Sequence, residues 1–260
     1  MIRVGIGGWT FEPWRGVFYP KGLTQARELE HASRHVTAIE INGTFYGSQK
    51  PSSFRKWHDE TPDDFMFSLK APRFAVNRRV LAEAGDSINK FIASGVGELK
   101  QKLGPILWQF APTKQFDPAD MAAFLDLLPS EIDGVKARHV LEVRHESFCV
   151  PEFIAMARQH NAAIVLAEAK KFPLVADVTS DFVYLRLQET QDDIPAGYSD
   201  QALDTWAARA KTWAAGGVPD DLPLITKAPP KQQRDVFVFM ISGAKVRNPA
   251  AAMALIERLG

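Results

Sequence analysis

A chain of 260 residues, 46% hydrophobic and 24% charged, has the composition of an ordinary globular protein and is long enough to bury a large core in one domain spanning 1–260. Its 31 basic and 31 acidic side chains cancel, which removes any bulk electrostatic argument for a nucleic-acid or membrane partner and leaves only local patches. No apolar run approaches the ~20 residues of a membrane span, and residues 1–10 lack a stretch of signal-peptide length, so a cytoplasmic setting is expected.

Residues 2–7, IRVGIG, read as a buried strand ended by Gly7-Gly8, and the aromatic loop WTFEPWRGVFYP follows. The spacing then predicts a helix over 24–35, capped by Thr24, with Leu29 and Ala32 inward. His31 and His35 stand one turn apart on it; without a Glu after His31 or an evident third ligand they read as a solvated face, not a metal site. A strand over 37–42 puts Ile39 and Ile41 on one face and Ala38, Glu40 and Asn42 on the other, because strand side chains alternate. Pro51, Phe54 and Trp57 mark a short helix, and the third strand, 66–70, groups Met66, Ser68 and Lys70. A helix over about 86–103, stopped by Gly104, is expected next, followed by a strand over 105–110 that carries Gln109. Asp117-Pro118 start a helix with Met121, Phe124, Leu125 and Leu128 at helical spacing.

The fifth strand, 139–145, is unusual because Glu142 and Arg144 share a face with Val140 and His145 stands at its end. Ionised groups in such a strand are costly unless paired, so they form either a structural ion pair or a site. Cys149, the one cysteine, follows it and reads as an inert thiol, since reactive cysteines need an activating neighbour. Pro151 begins a helix, 162–168 is a strand ending in Glu168, and 182–188 is a strand with Tyr184, Arg186 and Gln188 opposite Val183, Leu185 and Leu187. The segment between these two strands leaves scant room for a helix, so one crossover is expected to be irregular. Ser199 caps a helix carrying Leu203, Trp206, Ala210 and Trp213 that Gly216-Gly217 stop; 236–240 is the eighth strand, and Asn248-Pro249 start the last helix.

Eight strands alternating with connecting segments, without a linker, give an α/β chain whose expected fold is a single parallel (β/α)8 TIM-type barrel. A doubly wound open sheet is the alternative, but it would concentrate polar strand ends at one crevice, whereas here they recur on most strands. In a barrel that face is the lumen, and its C-terminal rim would gather Glu40, Asn42, Lys70, Gln109, Glu142, Arg144 and Arg186, with Glu168 either joining them or lying outside.

The runs GIGGWTFEPWRGVFYP, AIEINGTFYG, FSLKAP, LWQFAP, LEVRHESF, FVYLRL and GYSDQALDTWA together resemble the YecE-like family, domain-of-unknown-function family 72, over nearly the whole chain. The resemblance implies a TIM-barrel-like fold and no established activity. Glu40, Asn42, Lys70, Gln109, Glu142, Arg144, His145, Tyr184 and Arg186 fall on positions that match its motifs. Gln188 stands where the family typically has His, and FMIS at 239–242 stands where it typically has paired Asn, which separates the strand-7 and strand-8 mouth from that of typical members.

The first functional reading is an enzyme of hydrolase or lyase type that binds a small phosphate or carboxylate ligand. Arg144 and Arg186 are its anchors, since the guanidinium fork binds oxyanions bidentately and stays charged when buried. Glu142 or Glu40 is its acid/base, while Asn42, Gln109, His145, Tyr184, Trp9 and Trp14 are further ligand contacts. No cofactor or metal is expected. Structurally, the same charges could simply satisfy one another across the lumen. A nucleotide or nucleic-acid protein is the second reading, because Trp9, Phe11, Trp14, Arg15, Phe18 and Tyr19 could stack on bases, or could instead plug the barrel end. A third makes Lys70 a Schiff-base nucleophile, which needs its pKa lowered. Ligand binding without turnover is a fourth.

Overall fold

The computed structural model describes residues 1–260. Eight parallel strands close into a barrel: β1 (Ile2–Gly7), β2 (Ala38–Ile41), β3 (Met66–Lys70), β4 (Leu103–Gln109), β5 (His139–Glu142), β6 (Ala163–Glu168), β7 (Phe182–Leu187) and β8 (Asp235–Met240), with β8 pairing back onto β1. The expected TIM-type barrel is the observed fold, and the open sheet is excluded by closure. Strand alternation splits the apolar residues into two cores. Ile39, Phe67, Trp108, Leu141 and Leu185 point outward into the large layer under the helices, whereas Ala38, Leu107, Val140, Val165, Tyr184 and Phe239 fill the lumen.

Closure needs close backbone approach at two glycines. A Cβ on Gly5 would stand 2.1 Å from the Ala38 carbonyl oxygen, and one on Gly104 would stand 2.8 Å from the Phe67 carbonyl oxygen. The expected helix over 86–103 is corrected for the same reason. It stops at Ile92 (Gly85–Ile92), because Gly95 takes φ +106° with Pro51 filling the space where a side chain would be. A 3-10 segment, Val96–Lys102, leads into β4, and Gly104 lies inside the strand instead of stopping a helix.

Other boundaries also shift. The helix expected over 24–35 is a 3-10 turn, Gln25–Arg27, and a short α-helix, Glu28–Ala32; Arg27 leaves helical geometry at φ −103°, ψ 1°, and the Thr24 hydroxyl caps nothing. The strand expected to run to 145 ends at Glu142, so Arg144 and His145 lie in the loop above it. Helix starts hold better: Asp117 Oδ1 accepts from Asp120 N (3.0 Å), and Ser199 Oγ accepts from Ala202 N (3.2 Å).

Residues 169–181 contain no helix, as expected for the crossover from β6 to β7. They are held by the buried Asp177 carboxylate, which accepts from the backbone N–H of Ile225 (2.8 Å) and Thr226 (2.9 Å) and from the Thr226 hydroxyl (2.6 Å). No helix is long and apolar enough to cross a membrane.

Candidate functional site

At the C-terminal mouth of the barrel lies a cavity of ≈ 630 Å³ whose lining includes Gly8, Trp9, Asn42, Tyr46, Gln49, Trp57, Lys70, Gln109, Arg144, Arg186, Ser242 and Lys245. Its floor is an ion-pair lattice. Arg186, on β7, donates from Nε to Glu40 Oε2 and from Nη2 to Glu40 Oε1, both at 3.0 Å, and from Nη1 to Glu142 Oε2 at 2.6 Å. Arg144 reaches the other oxygen of Glu142 through Nε (2.9 Å) and Nη2 (2.7 Å), and Gln109 Nε2 donates to Oε2 at 2.7 Å. The two expected anchors therefore converge on one carboxylate.

Strand register produces this convergence. Glu142 pairs with Gln109, Glu40 pairs with Gly7 and Ser68, and Arg186 pairs with Phe239 and Ala167, so Gly7, Ser68 and Ala167 leave room beside the long charged side chains. Glu40 and Glu142 are 0% and 1% exposed and Arg186 is 3% exposed, which removes water as a competing partner. Burial alone would raise the Glu142 carboxyl, but Arg186 and Arg144 outweigh it and hold the pKa below the ordinary carboxylate value. Burial would likewise lower the Arg186 pKa, and Glu142 and Glu40 more than offset it, so the guanidinium is fixed in its charged form.

All four acceptor directions of Glu142 are thus occupied, and it orients arginines instead of presenting a free base. Glu40 has three contacts, the third from Tyr184 Oη at 2.8 Å. Tyr184 is wholly buried beneath the floor, 2.8 Å from Ser68 Oγ, where burial and then Glu40 push its phenol well above the ordinary pKa. It supports Glu40 and does not line the cavity, a correction to its expected role as a ligand contact.

Three other expectations change. Trp14 is 0% exposed, with its indole donating to the Lys245 carbonyl (2.9 Å), so it packs under the mouth while Trp9 alone of the pair borders the cavity, edge-on to Trp57 at 5.2 Å. His145 stands away from the cavity lining: its Nδ1 accepts from the Ser147 N–H (3.2 Å) and caps a 3-10 turn. Glu168 points outward, where it accepts from Trp206 Nε1 (3.0 Å) and from the Tyr198 hydroxyl, and burial raises its pKa. With Glu168 outside, three cations of the rim face two carboxylates.

Lys70 differs from its neighbours. It ends β3 at 7% exposure and lines the cavity, and its ammonium makes no hydrogen bond or ion pair, because Glu40 and Glu142 are taken by Arg186 and Arg144. Its ammonium lies over the Phe45 ring, 4.1 Å from the centroid. Burial, then Arg186, push its pKa down to about 8.

Sequence reasoning missed Lys245, Tyr46, Gln49 and Trp57 on the cavity wall. Lys245 follows β8 in the loop after Ser242-Gly243, both at positive φ, and its ammonium sits 4.4 Å from the Phe11 centroid and 5.6 Å from Trp14. Only the rule that barrel sites use the loops after strands would have singled it out. His31 and His35 stack at 4.1 Å, and no group of three or more His, Cys, Asp or Glu is placed to hold a metal ion. Burial raises the pKa of the Cys149 thiol, consistent with an inert side chain.

The family profile described as protein of unknown function DUF72 matches residues 3–260. The chain belongs to the DUF72 family. It is 32% identical over 143 residues to the UPF0759 protein YecE of Escherichia coli (strain K12), a match covering 54% of this chain and 49% of YecE, so the chain matches about half the length of that relative. Among solved structures it is similar to a DUF72 family protein from Thermotoga maritima, with TM-score 0.72 and 22% identity, over 98% of this chain and 97% of that one. A DUF72 family protein from Enterococcus faecalis gives TM-score 0.73 at 16% identity, over 100% and 95%. At these identities the two structures support the barrel alone.

Proposed function

We propose that this DUF72 protein is an enzyme acting on a small anionic metabolite that enters the barrel mouth, its phosphate or carboxylate gripped by Arg144 and Lys245. The observation that carries this reading is the sign of the wall. Every charged side chain lining the cavity, Lys70, Arg144, Arg186 and Lys245, is basic, while the two carboxylates that balance the arginines lie beneath it. Arg144 spends Nε and Nη2 on Glu142 and keeps Nη1 for an incoming oxyanion, with its plane held against Phe172 at 4.3 Å from the ring centroid. The floor is rigid before the ligand arrives, so little ordering is needed on binding. Acid/base work by Glu40 or Glu142 would require the ligand first to take over a guanidinium.

The reading favours a small ligand over a strand of nucleic acid because Trp14 and Tyr19 are buried and Phe18 packs against them, leaving Trp9, Tyr46 and Trp57 as the aromatic wall. A tryptophan-fluorescence titration with inorganic phosphate, sugar phosphates, short carboxylic acids and single-stranded oligonucleotides tests it. Saturable quenching by one class of small anion is expected, with turnover of that class in a metabolite screen. Quenching only by long strands with steep salt dependence would overturn the small-ligand reading, and tight small-anion binding without any turnover would make the barrel a binding protein.

A further inference from the structure

The ion-pair lattice accounts for both buried carboxylates and both arginines, and leaves one buried basic side chain without a role. Lys70 is fixed at the end of a barrel strand and opens into the cavity at 7% exposure, and its ammonium makes no hydrogen bond or ion pair, since the nearby Glu40 and Glu142 are engaged by the arginines. A lysine kept for structure would be paired, as Lys102 is, whose Nζ donates to the carbonyls of His58 (2.6 Å) and Thr61 (2.8 Å). A lysine kept only to attract anions would gain from staying exposed. Lys70 does neither. We propose that Lys70 is a catalytic nucleophile whose amine forms an imine with an aldehyde or ketone carbonyl of the anionic substrate, which Arg144 and Lys245 orient.

The substrate class follows from the geometry: an oxo acid or a phosphorylated aldehyde or ketone carries both the anion that the wall grips and the carbonyl that an amine attacks. In the step, the nitrogen lone pair adds to the carbonyl carbon and the carbonyl π pair moves to oxygen, which takes a proton. The nitrogen loses its proton, and the carbinolamine then expels that oxygen as water, forming C=N. One carbonyl and one amine give one imine and one water, with no oxidant or reductant. Because the mouth is open, solvent can supply and remove these protons. The conditions for a reactive amine are also met. Burial and Arg186 bring the pKa down to about 8, so at that pH about half of Lys70 is neutral, against well under one per cent of an ordinary lysine. Glu40, Glu142 and the Phe45 face favour the ammonium and so oppose this shift, while the ring holds Nζ in place.

The inference rests on the anion-binding reading, and one experiment separates them. The intact protein is treated with pyridoxal 5′-phosphate or with pyridoxal, reduced with borohydride, and mapped by peptide mass spectrometry, with inorganic phosphate as competitor. The expected result is stoichiometric modification of Lys70 by pyridoxal 5′-phosphate, on the order of tenfold faster than at surface lysines such as Lys21, rising with pH through about 8, slowed by phosphate and slower with pyridoxal. Labelling of Lys70 at equal rates by both aldehydes, unaffected by phosphate, would uphold the imine and overturn the anion grip. Phosphate binding without labelling of Lys70, or labelling that falls first on Lys245, would overturn the imine and leave the grip standing. Lys70→Arg, which keeps the charge, should abolish the label and leave the thermal midpoint close to that of the natural protein.

Discussion

The residue that determines how the mouth works is Glu142, because it joins Arg144 to Arg186 through opposite oxygens. Removing its charge would leave the buried Arg186 with Glu40 as its one carboxylate and Arg144 with none. Breaking one partner of a buried ion pair costs about 3–5 kcal/mol, so Glu142→Gln should lower stability by about that amount in urea unfolding, without a change in the slope. A loss below about 1 kcal/mol would show that the lattice is not what holds the floor together. The pairing of Glu142 with Arg144 was expected from their i and i+2 spacing on a strand, and it forms although Arg144 lies in the loop just beyond the strand end. The role of Tyr184 was not. Alternation placed it in the lumen correctly, but depth along the strand decides whether a lumen residue meets the ligand or lies beneath the floor, and depth depends on register with neighbouring strands. His145 escaped for a related reason: the strand ends at Glu142, so alternation no longer applies three residues later.

Among the elements, strands were easier to read than the segments between them. Buried apolar runs bounded by turn residues located all eight strands to within a few residues, whereas the helix expected over 86–103 failed because its glycines serve tertiary contacts that no local pattern reveals. The small hairpin of Glu131–Ile132 and Val135–Lys136 was also missed, although its signal was present: Asp133 and Gly134 both take positive φ, at 48° and 81°, which the Asp-Gly pair favours. Gly5 gives the sharpest test at this scale. A methyl there would meet the Ala38 carbonyl at 2.1 Å, so the two strands would have to part. Gly5→Ala should cost roughly 3 kcal/mol or more, at the upper end of overpacking penalties, read as a lower thermal midpoint. A variant as stable as the natural protein would mean that β1 and β2 tolerate separation at the barrel seam.

For the whole molecule, the equal numbers of acidic and basic residues gave no hint of a basic site, because the excess arises from placement and not from composition. Two carboxylates are drawn below the cavity floor by Arg186, and Glu168 is turned to the outer face, so the cavity wall is left with basic side chains only. Whether Glu168 joined the rim could not be read from the sequence, since the choice depends on which face of β6 the next layer occupies. The barrel, the converging arginines and the lumen position of Lys70 were legible. The inward packing of Trp14 and the contribution of Lys245 were not, because both depend on how the loops after β1 and β8 fold against each other. Whether the basic wall grips an anion is tested most directly by isothermal calorimetry with the best-binding small phosphate or carboxylate compound. Arg144→Met should weaken binding by about tenfold or more, as expected for loss of a charge-assisted contact, while the thermal midpoint falls by only a few degrees. Unchanged affinity in that variant, or affinity lost only in proportion to stability, would contradict an anion-binding mouth and return the charges to a purely structural role.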